Sequence, residues 1–212
     1  EKKKIDVSSH LNTLETAVVS VFKDRIFWIF LFVCFITSML FFQLFTTLPI
    51  YHHHQFGLTE VQTGLLMTLN GLLIFFFEMP LVSILERKNT LKLQIILWGS
   101  IFMTLSLFVL LIDIWAGVLV VSILFMSLGE MFIFPFSNSF ALSRAPIGHE
   151  GRYMALFTMS FSLAHIASSK VGMGIISVYG YEVNWLFMGI LGIVSIAGCL
   201  WVKKLSLEEN RL

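Results

Sequence analysis

Charge is what this 212-residue chain has least of: Asp, Glu, Lys and Arg together make up 13%. A soluble domain carries roughly a quarter. With 57% hydrophobic residues and 15% aromatic ones, a single water-soluble globule would expose large apolar patches and aggregate. Disorder is excluded too, since 22 Phe stand against 13 acidic residues and so apolar a chain does not stay solvated. There are two cysteines, Cys34 and Cys199, each inside an apolar run. They suggest neither a disulfide framework nor a zinc site and read as small buried hydrophobes. Enzyme signatures are also missing: there is no His-Glu-x-x-His, no paired acidic motif and no Gly-x-Ser-x-Gly elbow. Neither catalysis nor a cofactor or metal is expected, and a net charge of +1 gives no reason to expect nucleic acid as a partner.

What the chain does have is long apolar runs. Crossing a bilayer core takes about 20 helical residues, and six stretches qualify: Ile26–Ile50, Val61–Leu85, Leu91–Ile112, Trp115–Ser143, Tyr153–Val178 and Trp185–Val202. The connections are short, down to Asp113-Ile114, so consecutive helices are antiparallel neighbours. The first span is too long for a signal peptide and no cleavage site follows it. The fold expected is an all-α membrane protein with six transmembrane helices over residues 25–203. A cytoplasmic arm with a short amphipathic helix (Leu11, Leu14, Val18 and Val21 on one face) is expected over 1–24, and a cytoplasmic tail over 204–212. The chain begins with Glu1 rather than Met, so something upstream is expected to be missing.

Lys and Arg set the orientation. Five precede the first span, three (Arg87, Lys88 and Lys92) lie between the second and third or in the first turn of the third, two between the fourth and fifth, and three follow the sixth. The opposite loops hold none. Both termini are therefore expected in the cytoplasm, with His52–His54 in a solvated outer loop that lacks the acid or cysteine needed to complete a metal site. Tyr51, Trp115, Tyr179, Tyr181 and Trp185 fall at outer span ends and Trp28, Tyr153 and Trp201 at inner ones, where amphipathic rings belong. Trp98 sits deeper.

Ionisable groups at membrane depth are costly and usually face a bundle interior or a cavity. Here they are Glu78 in the second span, Glu130 in the fourth, and His165 and Lys170 in the fifth. Gln43, Asn70 and Asn138 add amides in the first, second and fourth. Beyond Lys92 at its very start, the third span holds no charge, nor does the sixth, and both read as lipid-facing supports, which gives a pattern that repeats every three helices. Counting from span ends puts Glu130 and His165 near the midplane, with Lys170 about 7.5 Å further out. Glu130 is therefore within reach of His165 or Lys170. A carboxyl kept from water holds its proton to higher pH, so Glu130 is the first candidate for proton coupling, with Glu78 and His165 beside it. The alternative for Glu130 is a fixed ion pair or a hydrogen-bonded tie between helices. Pro80 and Pro135 are expected to kink their spans. Gly172 and Gly174 with Ser168 and Ser169 give the fifth span a thin face for close helix approach.

Certain motifs carry a family resemblance. Phe42-Gln43-Leu44-Phe45-Thr46-Thr47-Leu48-Pro49, followed by Gly57-Leu58-Thr59-Glu60, resembles the seventh helix and following loop of bacterial drug–proton antiporters of the major facilitator superfamily. Glu78-Met79-Pro80 with Glu86-Arg87-Lys88 resembles a degenerate copy of that superfamily's loop motif, with Ser83 at the leading Gly position, Glu86 for Asp and Asn89 at the second Gly position. Gly129-Glu130 through Pro135, Arg144-Ala145-Pro146 and Gly151-Arg152-Tyr153-Met154 resemble its tenth and eleventh helices. The resemblance implies the C-terminal half of such a transporter, a 3+3 helical repeat in the bacterial inner membrane. Residues 1–24 then correspond to the linker before the seventh helix. It implies half of a secondary transporter moving a small organic solute by alternating access, with protons as the coupling ion. Such a transporter binds its substrate against an N-terminal six-helix half. Its cavity would be lined here by Gln43, Asn70, Asn138, Lys170, Met126 and Phe134. Phe and Met at such a surface suit a loosely specified amphipathic ligand, although the same residues pack in ordinary membrane helices. The competing reading is a six-helix membrane scaffold or assembly subunit with no transport of its own.

Overall fold

The computed structural model describes residues 21–88, 91–112 and 114–209. Most of the expected N-terminal arm, the second-Gly position Asn89, the loop residue Asp113 and the last three residues lie outside this set. After a 3-10 turn at Val21–Lys23 come seven helices: α1 (Arg25–Thr46), α2 (Leu48–Phe56), α3 (Glu60–Arg87), α4 (Lys92–Val109), α5 (Gly117–Arg144), α6 (Glu150–Tyr179) and α7 (Tyr181–Glu209). All but α2 are long and apolar enough to cross a membrane, giving the six spans expected. No strand occurs among the described residues. The last helix runs to Glu209, six residues beyond Lys203, where a tail was expected from 204 onward.

Local chemistry explains the helix ends. Asp24 caps α1 by accepting the Phe27 amide at 3.0 Å. Thr59 opens α3 with a capping box, its hydroxyl accepting the Gln62 amide while the Gln62 side chain accepts the Thr59 amide. The first span, expected to run unbroken to Ile50, instead stops at Thr46 and restarts as α2. Pro49 is the physical reason, since it has no amide to donate back to Phe45 and its ring crowds that carbonyl. By contrast α3 continues through Pro80 and α5 through Pro135. The His52–His54 run is therefore helical, not a loop. Within it His52 is fully buried, while His53 and His54 are exposed.

Lipid tails are as apolar as leucine, so helices here associate through close packing and polar ties rather than by escaping water. A close crossing, backbone against backbone, joins α4 and α5 at Gly99 and Gly129. A Cβ on Gly129 would lie 3.0 Å from the Gly99 carbonyl oxygen and 3.0 Å from the Met103 amide nitrogen. Two buried clusters fill the bundle. The one at the lysine-rich end is built on Phe27, Phe30, Ile96, Phe140 and Tyr153, and the one at the opposite end on Leu40, Leu44, Met103, Leu119 and Trp185.

Burial is distributed differently from what charge content suggested. In their most apolar stretches α4 is 50% and α7 39% buried, against 6% for α3 and 17% for α6. The third and sixth spans thus form a packed layer as well as showing an outer face at Trp98 and Trp201, both more than half exposed. Conversely α3, expected to line the interior, packs chiefly on α5 and leaves Phe75, Phe76, Phe77 and Met79 open.

Candidate functional site

Two polar assemblies tie the helices together, and they differ in what they leave free. The first joins α3 to α5. Asn70, buried on an otherwise open helix, donates from Nδ2 to Ser127 Oγ at 2.9 Å and to Glu130 Oε2 at 3.2 Å. Ser127 in turn donates to the Ile123 carbonyl at 2.8 Å. Both donors of the Asn70 amide are therefore used, and the half-buried Glu130 carboxyl keeps acceptor capacity beyond this bond. Glu78, one helix away and half-buried, lies within coulombic reach of Glu130.

The sequence reading put Glu130 within reach of His165 or Lys170. The structure gives a different partner: among the described residues neither cation comes within ion-pair distance of Glu130. Lys170 is exposed. His165 instead lays its ring on Phe42, with centroids 4.4 Å apart and planes 29° from parallel. Aromatic contacts then run onward from Phe42 to Phe161 at 5.2 Å, Phe161 to Phe134 at 5.2 Å and Phe134 to Phe41 at 4.7 Å. Phe134 and Asn138 line a 280 Å³ cleft between α5 and α6, with Phe161 and Ser162 on its other wall. This face offers aromatic surface and one amide to a ligand.

The second assembly is closed. Gln43 on α1 donates from Nε2 to the Ser168 carbonyl at 3.1 Å and to Ser168 Oγ at 2.8 Å. Its Oε1 accepts from Thr47 Oγ1 at 2.6 Å and from Asn184 Nδ2 at 3.2 Å. Ser168 itself donates to the Met39 carbonyl at 2.8 Å. Two donors and two lone pairs are the full capacity of a glutamine amide. Gln43, expected as a cavity residue, is 1% exposed and holds α1, α6 and α7 together. Gly172 makes room for it, since a Cβ there would stand 2.8 Å from Gln43 Oε1. Gly174, grouped with it from sequence, faces open space. Met126, also expected at the cavity, is 1% exposed and packs in the cluster with Leu44, Met103 and Trp185.

Sequence reasoning missed Ser127, although it lies three residues before Glu130 and so on the same helical face. It also missed a network at the lysine-rich end. There Arg144 donates from Nη2 and Nε to Asp24 at 2.8 and 3.1 Å and from Nη1 to Glu209, and the Tyr153 hydroxyl donates to Asp24 at 3.3 Å. Its signal was the acid directly before an apolar helix start. No group of three or more His, Cys, Asp or Glu that could hold a metal occurs among the described residues.

Comparison with known proteins adds an independent line. The sequence model of the family described as Major Facilitator Superfamily matches residues 1–169. The curated "Uncharacterized MFS-type transporter YttB" of Bacillus subtilis (strain 168) is 27% identical over 150 residues, which cover 70% of this chain and 37% of that protein. A crystal structure of a POT family transporter in complex with 5-aminolevulinic acid superposes with a TM-score of 0.73 at 19% identity, covering 87% of this chain and 41% of its own. At that identity the likeness speaks for the fold. The chain spans well under half the length of both relatives.

Proposed function

Since the chain belongs to the major facilitator superfamily, we propose that it is the C-terminal half of a secondary transporter that moves a small organic solute by alternating access, with Glu130 as the proton-coupling group. The observation that carries this reading is the Asn70–Glu130 pair: a half-buried carboxyl at mid-helix, hydrogen-bonded by one amide and free of any ion pair among the described residues. A permanent salt bridge would fix the charge, whereas a single neutral donor lets the carboxyl gain and lose its proton. Glu78 on the neighbouring helix lies within coulombic reach of this carboxyl. The aromatic face from Phe41 to His165, with Asn138 beside it, suits an amphipathic solute. An N-terminal six-helix half supplies the opposite wall, and the chain works as a carrier rather than an enzyme, in a bacterial inner membrane and with both termini cytoplasmic.

The test is Glu130→Gln in this chain assembled with its N-terminal half and reconstituted in vesicles. Glutamine keeps the bond to Asn70 within reach but cannot ionise. Proton-driven accumulation should fall to background, while substrate binding and downhill exchange persist and lose their pH dependence. If the variant is well folded and accumulates substrate as the parent does, Glu130 is a helix tie. An assembly inactive toward any solute would instead favour a scaffold.

A further inference from the structure

A 480 Å³ cleft opens at the lysine-rich end of the bundle, where the C-terminal ends of α3, α5 and α7 meet the start of α4. Lys92, Lys203 and Arg144 reach it, with Glu86 on its rim. Arg144 is already neutralised by Asp24 and Glu209. The two lysines are not. Lys92 Nζ donates to the Ser139 carbonyl at 3.2 Å and Lys203 Nζ to Gln94 Oε1, both neutral acceptors. Among the described residues no carboxylate lies within ion-pair distance of either, Glu86 included.

Each ammonium has three donors and spends one on the protein. Two half-buried cations line one cleft, and neither is paired with a carboxylate within ion-pair distance among the described residues, which leaves their partial desolvation uncompensated. An anion with several acceptor oxygens relieves that cost. The walls say what else it carries. The cleft has an apolar lining in Leu93, Phe136 and Phe140, and at its mouth Leu91 and Leu207 are 54% and 39% exposed. It also sits at the ends of helices that are long and apolar enough to cross a membrane, where lipid headgroups would meet it. We propose that this cleft binds the phosphate headgroup of an anionic phospholipid from the adjoining leaflet, with Lys92 and Lys203 as its ligands. Basic pockets between transmembrane helices are the usual form of such sites. A soluble phosphate would use the two lysines but has no need of the apolar lining.

The experiment uses the purified chain in uncharged detergent, with binding read by native mass spectrometry. The titrants are phosphatidylglycerol, phosphatidylcholine and inorganic phosphate. Two unpaired lysines near the surface predict a preference of about 30-fold for phosphatidylglycerol over phosphatidylcholine. The double variant Lys92→Gln/Lys203→Gln should abolish that preference, and Lys92→Arg/Lys203→Arg should keep it. Lys88→Gln/Lys204→Gln, which removes the same charge at exposed positions outside the cleft, should also keep it. Equal affinity for the two lipids, an unaltered preference in the first double variant, or equal loss in the charge-matched control each overturns the proposal. Inorganic phosphate that binds as tightly and displaces the lipid overturns the lipid assignment in favour of a soluble anion. If the glutamine variant does not fold, the headgroup preference of the unaltered chain and of the arginine variant decides.

Discussion

Asn70 and Gln43 are the same kind of group, a buried amide in a membrane helix, and only their partners tell them apart. Gln43 is saturated by Thr47, just past the end of its own helix, and by side chains and a carbonyl on two others, whereas Asn70 ends on a titratable carboxyl. His52 is the opposite case: fully buried, with neither ring nitrogen bonded among the described residues. Burial lowers its pKa from 6.5 to about 4, because the charged ring has lost water and gained no partner. The folded value lies below the unfolded one, so between them the unfolded chain takes up the proton first. Stability is complete above about pH 6.5 and falls as the pH drops toward 4, by at most about 3 kcal/mol. His52→Leu, which leaves no polar group unpaired, should flatten this acid-side loss while costing little at pH 8. Melting curves of both proteins in detergent from pH 8 to 4.5 test this, and parallel curves would remove His52 from the account.

At the scale of elements, the α4–α5 crossing fixes where the candidate site can be. Gly129 immediately precedes Glu130, and its missing side chain lets α5 lie against the α4 backbone. Gly129→Ala meets two backbone atoms that cannot rotate away. It should cost about 1–3 kcal/mol by forcing the helices apart and should weaken the Asn70–Glu130 bond. Gly64→Ala on α3, with nothing within 4 Å, should instead be neutral or stabilising by up to about 1 kcal/mol. Thermal melts of the two variants separate packing from propensity, and equal effects would mean that the crossing does not limit stability. The spans themselves were legible because each is an apolar run bounded by charge or by turn residues. The break at Thr47 was missed although Leu48-Pro49 announces it, because mean apolarity stays high across it. Gln43 was legible as a polar group in a span but not as a saturated one. Its partners on α6 and α7 lie more than 100 residues away in sequence, and only the tertiary packing brings them together.

For the whole molecule, antiparallel helices turn a linear charge pattern into two chemically different ends. Lys23, Arg25 and Arg144 line one cleft and Lys92 and Lys203 its neighbour, while the cleft at the far end is lined by His53, His54 and Glu60 with no Lys or Arg. The lysine-rich end faces the cytoplasm if the positive-inside bias governs insertion. A single added cysteine at an exposed position reports its own side, and the native Cys34 and Cys199 are buried and silent. His53→Cys should react with a membrane-impermeant thiol reagent in intact cells, and Lys88→Cys only after the membrane is opened. The two positions flank α3, so they must differ if that helix crosses. This holds for α3 in particular because it has so little protein around it: 6% of its apolar stretch is buried, and lipid or a companion half must cover Phe75, Phe76, Phe77 and Met79. Labelling of both cysteines from the same side would mean that α3 does not span, and Asn70 would then no longer meet Glu130 at membrane depth. The reverse pattern, with Lys88→Cys reacting outside, would keep the six spans and the Asn70–Glu130 site and overturn only the orientation that the positive-inside bias implies.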